Sequence, residues 1–152
     1  MLQEVHCTEK SSEIWAAEWG YTALFSSLAS NKVGVAILFN NNFSFKILRQ
    51  LYYKEGRYII VALEVGELTL TLCNIYAPNT DDPDFFTNVS EQMLSFKWDE
   101  IIIGGDFNLV LDVLKDKTRG KPTTHWNSLK ELKCIQDNLD LTDICPEAKR
   151  YT

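Results

Sequence analysis

The sequence predicts an α/β fold in which helices cover sheets, and three observations carry that prediction. Compact runs rich in Val, Ile, Leu, Phe and Tyr follow one another from Val33 to Tyr76. A segment with helical spacing comes next. A short apolar run, IIIGG at 101–105, then separates it from a second helical stripe. Strands in long succession followed by helix, strand and helix pack as layers around a hydrophobic core. With 152 residues, 45% of them apolar and 12% aromatic, the chain can fill such a core as one domain, 1–152.

Taken in order, the first thirty residues are irregular, with SSEIW opening a short helix at Ser12 and YTALFSSLA forming an extended or mixed segment. VGVAILF, from Val33, reads as a strand; the NNN at 40–42 interrupts it, and FSFKILRQLYY reads as the next. RYIIVALEV and ELTLTLCNIY are separated by Gly66 and Glu67, a hairpin signal. The second run alternates Leu68, Leu70 and Leu72 with Thr69, Thr71 and Cys73, which predicts a strand with one apolar face. Asp82 is placed to cap a helix with Pro83 in its first turn, and Phe86, Val89, Met93 and Phe96 follow at helical spacing as a core-facing stripe. IIIGG reads as a strand buried on both faces. Thr124 is placed to cap a last helix whose packing stripe is Trp126, Leu129, Leu132, Ile135 and Leu139. No internal repeat, linker or low-complexity segment interrupts the chain.

A net charge of −6 provides no global field for nucleic acid, so a DNA-binding role needs a local basic patch or a bound cation. Cys7, Cys73, Cys134 and Cys145 show neither CxxC pairing nor disulfide-scaffold density and read as reduced thiols. With His6 and His125 they match no standard zinc spacing, so buried or incidental residues are the better reading. No stretch approaches the length of a membrane span, and Met1-Leu2-Gln3-Glu4 lacks the regions of a signal peptide. The expected location is nucleus or cytoplasm, with no membrane association and no obligate protein partner.

Three segments could carry chemistry. In an extended backbone Asp106 and Asn108 of GGDFN would present a carboxylate and an amide on one side, just past a strand. Gly104 and Gly105 would allow a substrate or metal to approach the backbone. Alone, GGDFN is more readily a turn, since Gly, Asp and Asn all favour one. NIYAPN, at another strand exit, supplies the Tyr76 phenol and the Asn79 amide, although Pro78 ending a strand with Tyr76 at its rim explains the hexapeptide as well. Gln3-Glu4-Val5-His6 is the third, and an acid there is ordinarily a solvated end. Lys115, Lys117, Arg119 and Lys121 of KDKTRGK follow GGDFN closely; such a run is usually a solvated loop, but its position also suits phosphate contacts.

Occurring together and in this order, QE followed by H, NIYAPN and GGDFN resemble the exonuclease-endonuclease-phosphatase superfamily, specifically the endonuclease domain of non-LTR retrotransposons of the long interspersed type. KVGVAILF, GRYIIV, ELTLTLCNIYAPN, IIIGGDFN, LTDI and PEAKRYT extend the likeness along nearly the whole chain. The resemblance implies a four-layer α/β/β/α sandwich of two mixed sheets and a magnesium-dependent hydrolase that nicks DNA. It implies Glu4 as the acid that binds the metal, Asp106 as the base that orients or deprotonates the attacking water, Asn108 as the neighbour holding nucleophile and phosphate, and Tyr76 as the phenol supporting the phosphate. Asn79, Lys117, Arg119 and Thr152 would contact the substrate.

Against the family's pattern, Val5 stands where a threonine is common, and Ile144-Cys145-Pro146 stands in place of a longer segment. The initial asparagine strand, an SRID-like segment and a terminal aspartate-histidine pair have no counterpart, so the expectation is a domain truncated at both ends, lacking edge strands, with little or no turnover. The alternatives are a non-catalytic nucleic-acid- or protein-binding relic of that domain and a phosphatase of the same superfamily.

Overall fold

A computed structural model describes residues 1–27, 33–109 and 125–144. The chain divides into two units, one made of Met1–Ala77 with Met93–Phe107 and the other of Pro78–Gln92 with Asn108–Thr152.

The first unit holds two sheets. A three-stranded antiparallel sheet runs in the order β1 (Leu2–Gln3), β3 (Gly34–Leu38), β2 (Ala23–Ser27). A four-stranded sheet runs β4 (Lys46–Tyr52), β5 (Tyr58–Val65), β6 (Leu68–Tyr76), β7 (Glu100–Asp106). It is mixed, because β7 joins β6 in parallel while the other pairs are antiparallel. The sheets meet face to face through Leu24, Val35, Ile37 and Phe39 from one and Ile59, Val61, Leu63 and Leu72 from the other, all buried. Alternation along each strand sends these side chains to one shared side. The fold is thus α/β, as the order of elements predicts, with the two sheets that the resemblance implies, although among the described residues only the four-stranded one is mixed.

Local chemistry explains where the elements stop. The β5–β6 hairpin turns on Gly66 and Glu67 between the paired Val65 and Leu68, with Gly66 at φ 63, a conformation costly for residues with a Cβ. Helix α1 (Glu9–Trp19) starts a turn earlier than the expected Ser12. Its capping box is reciprocal: the Thr8 hydroxyl accepts the Ser11 backbone N–H at 3.2 Å, and the Ser11 hydroxyl accepts that of Thr8 at 2.7 Å. Gly20, in the left-handed region, closes the helix by donating to the Ala16 carbonyl.

Two strand expectations are corrected. β6 does not keep one apolar face: Thr71 and Cys73 are as buried as Leu72, and Thr71 satisfies its hydroxyl by donating to the Lys97 carbonyl at 3.1 Å. β7, expected to be buried on both faces, is outermost in its sheet among the described residues, and Ile102 is 48% exposed. Burial pushes the Cys73 thiol well above its ordinary range, consistent with an inert core cysteine.

In the second unit, the expected N-terminal cap of α2 (Pro83–Leu94) forms: the Asp82 carboxylate accepts the Phe85 N–H at 3.1 Å. Phe86 and Val89 are buried, as are Met93 and Phe96 farther along the chain. Helix α3 (Trp126–Asn138) buries Leu129, Leu132 and Ile135, but Trp126, expected in the stripe, is 64% exposed and Ser128 is buried instead. Thr124, the expected cap, lies outside the described residues. The residue at the N-cap is His125, which makes no side-chain cap bond. Asp81 does that work, accepting the Ser128 N–H at 2.8 Å and the Asn127 side-chain amide at 2.8 Å.

Candidate active site

The functional candidates of the first unit gather where strands end. Tyr76 is the last residue of β6 and Asp106 the last of β7, and the parallel register places them directly opposite each other. Parallel pairing needs a crossover between the strands, supplied here by the segment that contains α2. The carboxyl ends of neighbouring parallel strands are where α/β folds bind ligands. Glu4 follows β1 at once, and its carboxylate Oε1 accepts the Tyr76 hydroxyl proton at 2.9 Å. Three residues separated by up to about a hundred positions in sequence are thereby drawn to one rim.

Glu4 and Asp106 are exposed, and Tyr76 is half-buried. The hydrogen bond to Glu4, partial burial and the nearby negative charges hold the Tyr76 phenol above its ordinary pKa, opposed by Arg57. The phenol is therefore a proton donor at neutral pH. Arg57 enters the site through the pairing of β5 with β6. Its carbonyl accepts the Tyr76 N–H at 2.7 Å, its guanidinium donates to the Tyr76 carbonyl at 3.3 Å, and its charge lies 5.6 Å from the centre of the Tyr76 ring. No motif singled out Arg57; the register Tyr58↔Ile75 alone puts it beside the phenol.

Beneath the rim lies a buried amide that spacing did not single out. Asn74, fully buried, donates from Nδ2 to the carbonyls of Leu2 and Ala36, each at 2.9 Å, and accepts from Gln3 Nε2 at 2.6 Å. Gln3 and Asn74 were legible only as parts of QE and NIYAPN.

The glycines of GGDFN serve the backbone. A Cβ at Gly105, whose φ is 139, would sit 1.9 Å from the Ile75 carbonyl oxygen, and one at Gly104 would press on the Met1 sulfur at 3.2 Å. The close approach expected for substrate or metal is made by Ile75 of β6 and by Met1. Strand β7 ends at Asp106, and Asn108 adopts φ 49, so the extended spacing that would align the two side chains stops short of Asn108. Asn108, half-buried, and Asn79, exposed, belong to the second unit. Lys117, Arg119 and Thr152 lie outside the described residues.

Among the described residues no group of three or more His, Cys, Asp or Glu side chains could hold a metal ion, and Cys145 of the disfavoured zinc set lies outside them. The rim supplies two carboxylates, and magnesium is a hard cation that takes one or two carboxylates and keeps several waters. Oxygen donors of this kind suit that cation. No helix among the described residues is long and apolar enough to cross a membrane.

No protein-family model matches the chain. The chain is 32% identical over 154 aligned residues to the "Transposon TX1 uncharacterized 149 kDa protein" of Xenopus laevis, covering 99% of this chain and 12% of that protein. It is also 36% identical over 87 residues to engulfment and cell motility protein 1 of mouse and of human, over 54% of this chain and 12% of each relative. The chain thus spans 12% of the length of the curated relatives it matches. Among solved structures, the endonuclease domain of TRAS1, a telomere-specific non-LTR retrotransposon, superposes with a TM-score of 0.55 at 13% identity, over 90% of this chain and 66% of that one. The resemblance read from the motifs is met on two separate grounds: the chain has the fold of a non-LTR retrotransposon endonuclease domain, and nearly its whole length is similar in sequence to a transposon protein.

Proposed function

We propose that this chain is a magnesium-dependent phosphodiesterase that nicks DNA. The observation that carries the reading is the meeting of Glu4, Tyr76 and Asp106 at adjoining strand ends. A metal-binding carboxylate, a protonated phenol and a second carboxylate are groups that can serve the hydrolysis of a phosphodiester. The Asp106 carboxylate accepts a proton from water as its oxygen attacks phosphorus and the bond to the leaving oxygen breaks. The phenol, which donates to Glu4 in the structure, donates to a phosphoryl oxygen when substrate is bound. Arg57 offers positive charge at the same rim, offsetting locally the acidic balance of the chain. Magnesium held by Glu4 would neutralise charge developing on the phosphate and leaving oxygen. By the resemblance, Asn108, Asn79, Lys117, Arg119 and Thr152 would contact the substrate.

Supercoiled plasmid incubated with purified protein and magnesium tests it. Nicked circles are expected with wild type, with a rate about 100-fold or more lower for Asp106→Ala, the usual contribution of a general base. Equal background from both proteins sinks the proposal and leaves a non-catalytic binding role.

A further inference from the structure

Glu4 must be held tightly to meet Tyr76, yet the strand that carries it is very short. β1 comprises Leu2 and Gln3 and pairs only through Leu2↔Ala36 and Gln3↔Val35, followed by the Val5 N–H donating to the Gly34 carbonyl. Two residues of ladder hold a strand weakly, since pairing gains little against the entropy of ordering the chain. Glu4 itself sits at φ 53, an unfavourable conformation for a residue with a Cβ, which the surroundings must enforce.

What enforces it lies one strand layer away. The carbonyls of Leu2 and Ala36, register partners on β1 and β3, both accept from the single Nδ2 group of Asn74, which spends its two hydrogens on them. Its Oδ1 receives the Gln3 amide at 2.6 Å. Asn74 therefore ties β6 to two of the three strands of the facing sheet, β1 and β3, two residues before Tyr76, while Gln3 returns the tie one residue before Glu4. Asn74 is 0% exposed, and a buried amide so satisfied has one orientation, because turning it over would set its Nδ2 against a donor and its Oδ1 against two carbonyls.

We propose that Asn74 and Gln3 are positioning residues, a buried amide clamp that holds β1 in the place where Glu4 meets Tyr76. The clamp rests on the proposed function only in that Glu4 and Tyr76 are taken as reacting groups. Neither amide touches the reacting atoms. In Asn74→Asp the side chain keeps its shape but loses both donors, leaving two carbonyls facing a carboxylate. In Gln3→Ala one of the three bonds is removed from a half-buried position.

The test is nuclear magnetic resonance on the full chain without metal or substrate, reading the nuclear Overhauser contact between the Glu4 Cγ protons and the Tyr76 ring. Wild type should show it. Both variants should lose or weaken it, with faster hydrogen exchange at the Val5 amide, while the amides of β5 keep their positions. Persistence of the contact at wild-type strength in a folded variant overturns the clamp; should Asn74→Asp not fold, Gln3→Ala decides alone. Where wild type nicks plasmid, the clamp also requires Gln3→Ala to lower kcat by up to about 100-fold with KM little changed, the signature of a displaced group and not of lost binding. A wild type that shows the contact but does not nick removes the catalytic reading and leaves the clamp standing.

Discussion

β6 and β7 are neighbours in one sheet, paired in parallel residue by residue, yet they invert what their sequences suggest. IIIGG is the more apolar run, but Ile102 is 48% exposed, whereas TLCNIY, with a threonine, a cysteine and an asparagine, is buried almost throughout. Place in the sheet decides this: β6 has a strand on each side, and β7 is outermost among the described residues. Polar side chains survive inside β6 because each finds a partner, Thr71 in the Lys97 carbonyl and Asn74 in the facing sheet. Apolarity reports what a strand tolerates, and pairing order reports what it receives.

The sharpest way to break the comparison is at the seam between the strands. Gly105→Ala should destabilise by on the order of 4 kcal/mol, near the top of the single-substitution range, because its Cβ would collide with the Ile75 carbonyl at a φ that already disfavours it. Urea unfolding measures it, and a loss below about 1 kcal/mol would show that β7 shifts freely. Leu72 and Ile102 are register partners, so truncating each compares the two strands at one level. Leu72→Ala should cost about 2–5 kcal/mol as a core truncation, and Ile102→Ala under about 1 kcal/mol. Equal losses would mean that Ile102 is covered in solution. Thr71→Val keeps the shape but leaves the Lys97 carbonyl without its donor, and about 1 kcal/mol is expected.

The smallest effect lies outside this sheet, at Asp81. Hydrogen bonds from Ser128 and then Asn127 hold its carboxyl below the ordinary carboxylate pKa. A group whose pKa is depressed by folding contributes stability above its unfolded value and loses it as pH falls through the folded one. The melting temperatures of wild type and Asp81→Ala should therefore differ at neutral pH and converge below about pH 4. A constant gap across that range would show that the cap does not depend on the charge.

Much of the fold was legible in sequence. Gly66 between two β-rich runs marks a hairpin, and Asp82-Pro83 marks a helix start, because these are local backbone preferences carried by single residues. Helix α1 began earlier than expected because a serine, not the commoner glutamate, completes its capping box. The α3 cap was not legible, since its acceptor, Asp81, is 46 residues away from Asn127. Of the candidate site, Glu4, Tyr76 and Asp106 were named by motif, whereas Arg57 and the role of Asn74 depended on which strands lie side by side.

The sequence by itself determined most element types from Val33 onward, the α/β class and the motifs that carry the resemblance, because periodicity, turn chemistry and residue identity are properties of short stretches. Only the tertiary structure decided that β7 lies outside β6, that Asn74 reaches across to the Leu2 and Ala36 carbonyls, and that Glu4 meets Tyr76. Those facts depend on contacts between residues more than seventy positions apart in the extreme case, and no local preference encodes a partner at that distance.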